Sequence, residues 1–160
     1  MHGILKVVHG SLKVSSYDKI SKLDTTQQKN IPGALRNRLE LIERGYVVPV
    51  KSILPNASMS ASSPPLLLRP NADNYHQIYN SSDEPAAFVD ILSPPYNHKG
   101  SELAMEGDTE VRECEYFKQI TFPSNVDEVL DKSIVWLQVI PTPTDFNCDS
   151  EPYQGPRMQL

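Results

Sequence analysis

Apolar residues along this chain recur in short runs, and most of the runs alternate with polar positions at a period of two. Gly3 to Val8 (GILKVV) and Ser11 to Tyr17 (SLKVSSY) open the pattern. In the second run Leu12 and Val14 alternate with Ser11, Lys13 and Ser15, the signature of a strand with one buried face. His9-Gly10 supplies a tight connection, so the two runs are expected to pair as a hairpin. A strand this close to Met1 has no lead-in, and the domain is expected to begin upstream of it.

Further along, Asp18 to Gly33 is polar and irregular and reads as a surface loop. Leu35 to Ile42 (LRNRLELI) fits two periods: Leu35, Leu39 and Ile42 are spaced as in a helix, while Leu39 and Leu41 flank Glu40 as in a strand. The strand-rich context favours strand. Tyr46 to Leu54 is apolar but broken by Pro49, and Pro55 to Pro65 (PNASMSASSPP) is small, polar and expected to be mobile. Together, 46–63 reads as a low-complexity loop within one domain spanning 1–160. Pro64 to Arg69 begins a buried strand, and Asn71 to Asn74 is a turn by its Asn and Asp content. In Tyr75 to Tyr79 (YHQIY), Tyr75, Gln77 and Tyr79 share one face, with His76 and Ile78 on the other. Ala86 to Leu92 (AAFVDIL) is apolar except for Asp90. Asn97 to Arg112 reads as a loop, Cys114 to Ile120 and Ser133 to Val139 as the last strands, and Asp145 to Leu160 as a tail.

Composition sharpens the fold class. Fourteen prolines and seven glycines interrupt the chain too often for long helices, which favours an all-β sandwich or barrel. With 15 Lys+Arg against 20 Asp+Glu, the formal net charge of −5 argues against nucleic acid, whose phosphates need a concentrated positive surface. No apolar run reaches membrane-spanning length, and the N-terminus lacks a signal-peptide pattern. Two cysteines, Cys114 and Cys148, make no disulfide framework, so a reducing cytoplasm is the expected compartment.

Four places could carry chemistry. His76, on a short strand beside a polar turn, is either a metal ligand or a hydrogen-bonded strand histidine. Pattern alone favours the second, because one imidazole is not a metal site. Asp90 must face solvent or find a partner, since burying a lone carboxylate is costly. Tyr96 follows Pro94-Pro95, whose fixed φ angles hold it at the strand exit, where its phenol either donates into a pocket or closes the core. Cys114 and Tyr116 are two apart on an expected strand, so both would leave one face as neighbours. That allows a thiol–phenol contact or a thioether link, although a small buried cysteine beside an aromatic is the plainer reading. There is no glycine-rich phosphate loop, Cys-x-x-Cys or nucleophile elbow.

The segments MHGILKVVHGSLKVSSYDK at 1–19, NYHQI at 74–78, EPAAFVDILSPPY at 84–96, CEYF at 114–117 and DFNCDSEPYQGP at 145–156 resemble the animal cysteamine (2-aminoethanethiol) dioxygenase family, kin of the plant cysteine oxidases. The resemblance spans most of the chain in the family's order. It implies a cupin-type double-stranded β-helix, here incomplete at its N-terminus, holding one non-haem iron(II) on three histidines. It implies oxidation of a thiol to a sulfinic acid with O2, the thiol being cysteamine or the N-terminal cysteine of a protein, which links oxygen supply to protein turnover. On this mapping His76 is the third iron ligand, Asp90 and Tyr96 orient ligands and substrate, and Cys114 with Tyr116 is the pair suspected of cross-linking. The implied protein is a monomer that binds neither nucleic acid nor membrane.

The sequence departs from the family pattern in two places. The family's first two iron ligands form a His-x-His motif that lies just before the position matching Met1, and the 160 residues do not contain it. His2, His9 and His98 do not occupy its place. The stretch 46–63 is longer than the family's connection. The alternative reading is a non-catalytic cupin fragment or partner-binding module without a complete iron site.

Overall fold

The computed structural model describes residues 1–97, 111–122, 133–145, 149 and 154–155. Its strands are β1 (His2–His9), β2 (Ser11–Lys19), β3 (Val47–Ser60), β4 (Leu66–Leu68), β5 (Tyr75–Tyr79), β6 (Ala87–Ser93), β7 (Tyr116–Gln119) and β8 (Ile134–Ile140). Three short helices, α1 (Thr25–Lys29), α2 (Gly33–Arg36) and α3 (Leu39–Glu43), separate β2 from β3. Among the described residues the strands form a three-stranded sheet, β4-β1-β6, and a five-stranded sheet, β5-β2-β3-β8-β7. All pairings within them are antiparallel.

The alternation in the first two runs is real, but the hairpin is not. β1 pairs with β4 and β6, whereas β2 pairs with β3 and β5. One residue, Gly10 at φ +64°, separates them, which is too little to fold one strand back along the other. The chain turns a corner from one sheet into the next instead. That corner sets Val7 of β1 against Leu12 and Val14 of β2. With Met59 these side chains form a buried cluster, flanked by Leu66, Ile78 and Ala86.

Residues 18–45 correct two further expectations. β2 runs on to Lys19, and the segment after it is not loop throughout. Asp24 opens α1 through a reciprocal capping box: its Oδ1 accepts from the Gln27 backbone N–H at 2.8 Å, and Gln27 Oε1 accepts from the Asp24 N–H at 2.9 Å. The run 35–42, for which strand was favoured, is instead divided between α2 and α3, and Leu39, the middle residue of its helical spacing, is exposed. Leu35 is buried with Ile31, Val47 and Trp136, and Leu41 and Ile42 pack against them. The helices thus close a second core cluster beside the five-stranded sheet.

The expected loop at 46–63 is also overturned, because β3 runs through it for 14 residues. Its polar half pairs with β2, Leu12 opposite Met59 and Val14 opposite Ala57. Small and polar composition had hidden a period-2 pattern in which only Ala57 and Met59 carry the inward positions. Asn56, in a left-handed conformation at φ 49°, takes up the irregularity where the register shifts beyond Val14. Its backbone N–H donates to Ser15 Oγ at 2.9 Å.

The faces of β5 match the sequence pattern. Tyr75 points away from His76 and meets Phe117 of β7 with ring centroids 5.1 Å apart at 66°, an edge-to-face geometry. That contact joins the two edge strands of the five-stranded sheet, so the sheet curls strongly. Cys114 lies before β7 rather than on it, and the expected shared strand face with Tyr116 therefore does not exist.

Candidate active site

His76 sits opposite Ser16 in the β2–β5 ladder, next to the Val14–Ile78 pair. Its Nδ1 lies 3.2 Å from the carbonyl oxygen of Asn74. A carbonyl can only accept, so Nδ1 donates, and in the neutral form of the ring the lone pair then sits on Nε2. The ring borders a cleft of about 270 Å³ whose apolar walls include Leu5, Val14, Leu66 and Leu68.

Asp90 lies on the other sheet, at an exposed position of β6. It stands opposite Leu5 in the β1–β6 ladder, and Leu5 is fully buried. The apolar surroundings withhold part of its hydration and push the carboxyl above its usual pKa, and the charge of His76 pulls the other way. His76 and Asp90 therefore sense one another from β5 and β6, the facing edges of two different sheets.

Tyr96 follows β6 and the cis Ser93–Pro94 peptide. Its phenol is pushed up to about 12, first by burial and then by the neighbouring Cys114. Cys114 acts through its charge when ionised and by accepting a hydrogen bond from the phenol, and smaller contributions come from Asp90 and Tyr116. The phenol is thus a neutral hydrogen-bond donor across the physiological range. Tyr75, on the far side of β5, is raised by burial and by Glu115.

A clamp that the sequence reading missed holds these groups together. Asn97, buried to 3% exposure, forms a backbone bridge with Arg112: N–H to carbonyl at 3.0 Å one way and 3.3 Å the other. Asn97 Oδ1 also accepts from the Arg112 N–H at 2.6 Å, and Arg112 Nε donates to the Pro95 carbonyl at 3.1 Å. The segment carrying Tyr96 is therefore fastened to the segment carrying Cys114 over an intervening stretch of chain. Nothing in the sequence pattern hinted at it, because the partner lies 15 residues on.

The cluster His76, Asp90, Tyr96, Cys114 and Tyr116 thus assembles from β5, β6, β7 and their flanks. It does not amount to a metal centre. Among the described residues no three His, Cys, Asp or Glu side chains gather closely enough to hold an ion. His2 is paired with Ser93 on the face opposite Gly3 and Leu5, and His9 is exposed at the sheet corner. His98, Cys148 and most of the 145–156 segment lie outside the described residues.

Two antiparallel sheets closed around such an interior define a cupin-type β-sandwich. A family model described as PCO_ADO matches residues 1–158, and the chain belongs to that family, the cysteamine dioxygenase and plant cysteine oxidase family that its motifs resemble. It is 32% identical over 163 residues to 2-aminoethanethiol dioxygenase of Mus musculus, across 99% of this chain and 59% of the mouse protein. The corresponding figures for 2-aminoethanethiol dioxygenase of Homo sapiens are 32% over 165 residues, 99% of this chain and 56% of the human protein. The chain therefore spans less than two thirds of the length of these relatives. Among the described residues no helix is long and apolar enough to cross a membrane.

Proposed function

We propose that this chain carries the thiol-binding interior of a dioxygenase that converts R–SH and O2 into the sulfinic acid R–SO2H. The substrate on this reading is a small thiol such as cysteamine, or the N-terminal cysteine of a protein. The observation that carries it is the mutual proximity of His76, Asp90 and the Tyr96–Cys114 pair, in a chain whose relatives are named for this chemistry.

The residues have separable tasks in this reading. The apolar walls of the cleft exclude water and receive the methylene groups of the thiol. Tyr96, kept neutral, donates a hydrogen bond toward substrate or reacting oxygen, and Cys114 fixes the phenol's direction. Asp90 holds negative charge near His76 and helps orient that ring. Tyr116 completes the packing around the phenol. The family's cofactor is one iron(II), and His76 is an imidazole of this chain that would help to hold it. Among the described residues, one imidazole and one carboxylate do not make an iron site. The reading also places the protein in the cytoplasm, where the exposed thiol of Cys114 stays reduced.

The test is isotope-labelled O2 with cysteamine and with a peptide bearing an N-terminal cysteine, after anaerobic loading of the purified chain with iron(II). Sulfinate carrying both labelled atoms, lost in His76→Ala, is the expected result. Failure to bind iron with no oxygen consumed would reject catalysis by this chain and leave a non-catalytic cupin, the alternative that fits the sparse donor set among the described residues.

A further inference from the structure

The polar end of the cleft beside His76 is built around a carboxylate that the site described above does not use. Asp73 lines the cleft with Ser16 and His76. Its backbone is left-handed, φ 54°, a conformation costly for most side chains and tolerated by Asp. Two bonds hold it there. The Asp73 N–H donates to Asp18 Oδ1 at 2.5 Å, and the Ser16 hydroxyl, on a residue 4% exposed, donates to Asp73 Oδ1 at 3.1 Å. Asp73 Oδ2 receives no hydrogen bond among the described residues.

We infer that Asp73 is a specificity residue that receives the protonated amine of a β-aminothiol bound in this cleft. The inference rests on the thiol dioxygenase reading and names its substrate class. Cysteamine and an N-terminal cysteine share one feature, an ammonium two carbons from sulfur. A cleft of about 270 Å³ is large enough for either end group. Its apolar walls suit the two carbons, and its polar end offers a carboxylate oriented by Ser16 with one oxygen to spare. A charge-assisted bond to that oxygen is stronger than a neutral one. Arg69, the cation that also lines the cleft, is solvent-exposed, where water and salt screen it. A thiol with a hydroxyl in place of the ammonium would fit the same walls but forgo this bond.

The experiment is anaerobic titration of the metal-free chain, by chemical-shift mapping and calorimetry, with cysteamine, a cysteine-initiated dipeptide and 2-mercaptoethanol. At least one of the two amines is expected to bind about tenfold tighter than mercaptoethanol, the scale of a hydrogen bond to a charged group. Whichever does so identifies the source of the ammonium. Asp73→Asn should bring the preference within about twofold, and Ser16→Ala should give a smaller loss in the same direction. Ser16→Ala also serves if Asp73→Asn does not fold, because it leaves the carboxylate but not its orientation. Equal binding of amine and alcohol by the wild-type chain overturns the inference, as does a preference that survives in folded Asp73→Asn or is untouched by Ser16→Ala. Ammonium preference dependent on Asp73 without sulfinate formation rejects the dioxygenase reading alone. Sulfinate formation with a preference indifferent to Asp73 rejects only the role of Asp73.

Discussion

Asn97 and Arg112 are joined by three hydrogen bonds, two between backbones and one at 2.6 Å from the Arg112 N–H to Asn97 Oδ1. This clasp puts Tyr96 beside Cys114. Truncating Asn97 removes the shorter of the two bonds made by the Arg112 N–H, at 2.6 Å, and keeps the 3.3 Å one to the Asn97 carbonyl. Asn97→Ala is therefore expected to cost roughly 1–3 kcal/mol, the usual penalty for an under-satisfied buried group. Denaturant unfolding measures that cost, and an unchanged midpoint would mean that the clasp is dispensable.

The Tyr96 phenol gives a spectroscopic handle on the same contact. Its folded value of about 12 lies above the ordinary 10.0, so the native state holds this proton more tightly than the unfolded chain. The associated stability is fully present below pH 10 and is lost as pH rises toward 12. Tyrosinate absorbance should show a component near pH 12 that vanishes in Tyr96→Phe, beside the smaller delay of half-buried Tyr75. In Cys114→Ala that component should titrate earlier, though still late, because burial is the larger cause. A component near pH 12 that survives Tyr96→Phe would assign it to another tyrosine.

Gly10 is where the two sheets exchange the chain. A Cβ there would lie 2.7 Å from the Pro85 carbonyl oxygen and 3.0 Å from Ala86 Cα, at φ +64°. Both neighbours belong to the approach to β6, so backbone must move to admit the methyl. Gly10→Ala is expected to destabilise by roughly 1–3 kcal/mol from the left-handed conformation and displaced contact together. Because the corner aligns Val7 with Leu12 and Val14, the loss should appear as a lower melting temperature with a cooperative transition retained. A melting temperature equal to wild type would contradict the close approach.

Much of this was readable from sequence where period two was carried by strong residues. Leu12 with Val14, and Ile78 beside His76, declared their faces. The first two runs also declared strands, but pairing depends on what else competes for each edge, and β4 and β6 are distant in sequence. The polar half of β3 was unreadable for a different reason: Ala57 and Met59 are weak markers among serines, and the ladder to β2 is made by backbone. The helical run 35–42 was decided by Ile31, Val47 and Trp136, a tertiary influence that local spacing does not carry. At the site, the family motifs pointed to His76, Asp90 and Tyr96. The Asn97–Arg112 clasp and the Ser16–Asp73 bond lay hidden, because each joins residues unrelated by any local period.

Asp90 separates stability from function most sharply. Its carboxyl is raised by partial desolvation, with His76 opposing. A raised carboxyl binds its proton more tightly in the native state, so the stabilisation from neutral Asp90 is present below the unfolded value of 3.8. It is lost as pH rises through the folded value, and above that the ionised group is a net burden on the fold. Asp90→Asn removes the burden while keeping the shape. The variant should melt no lower than wild type at neutral pH, and the difference should close as the solution is acidified below about 3.8, where both side chains are neutral. If Asp90 serves beside His76 as proposed, the same substitution should lower thiol oxidation while leaving the fold intact, since functional sites often retain charges that stability alone would discard. Melting curves across pH, paired with sulfinate formation, check both halves. A variant less stable at neutral pH would show that the carboxylate is held by favourable partners rather than merely tolerated.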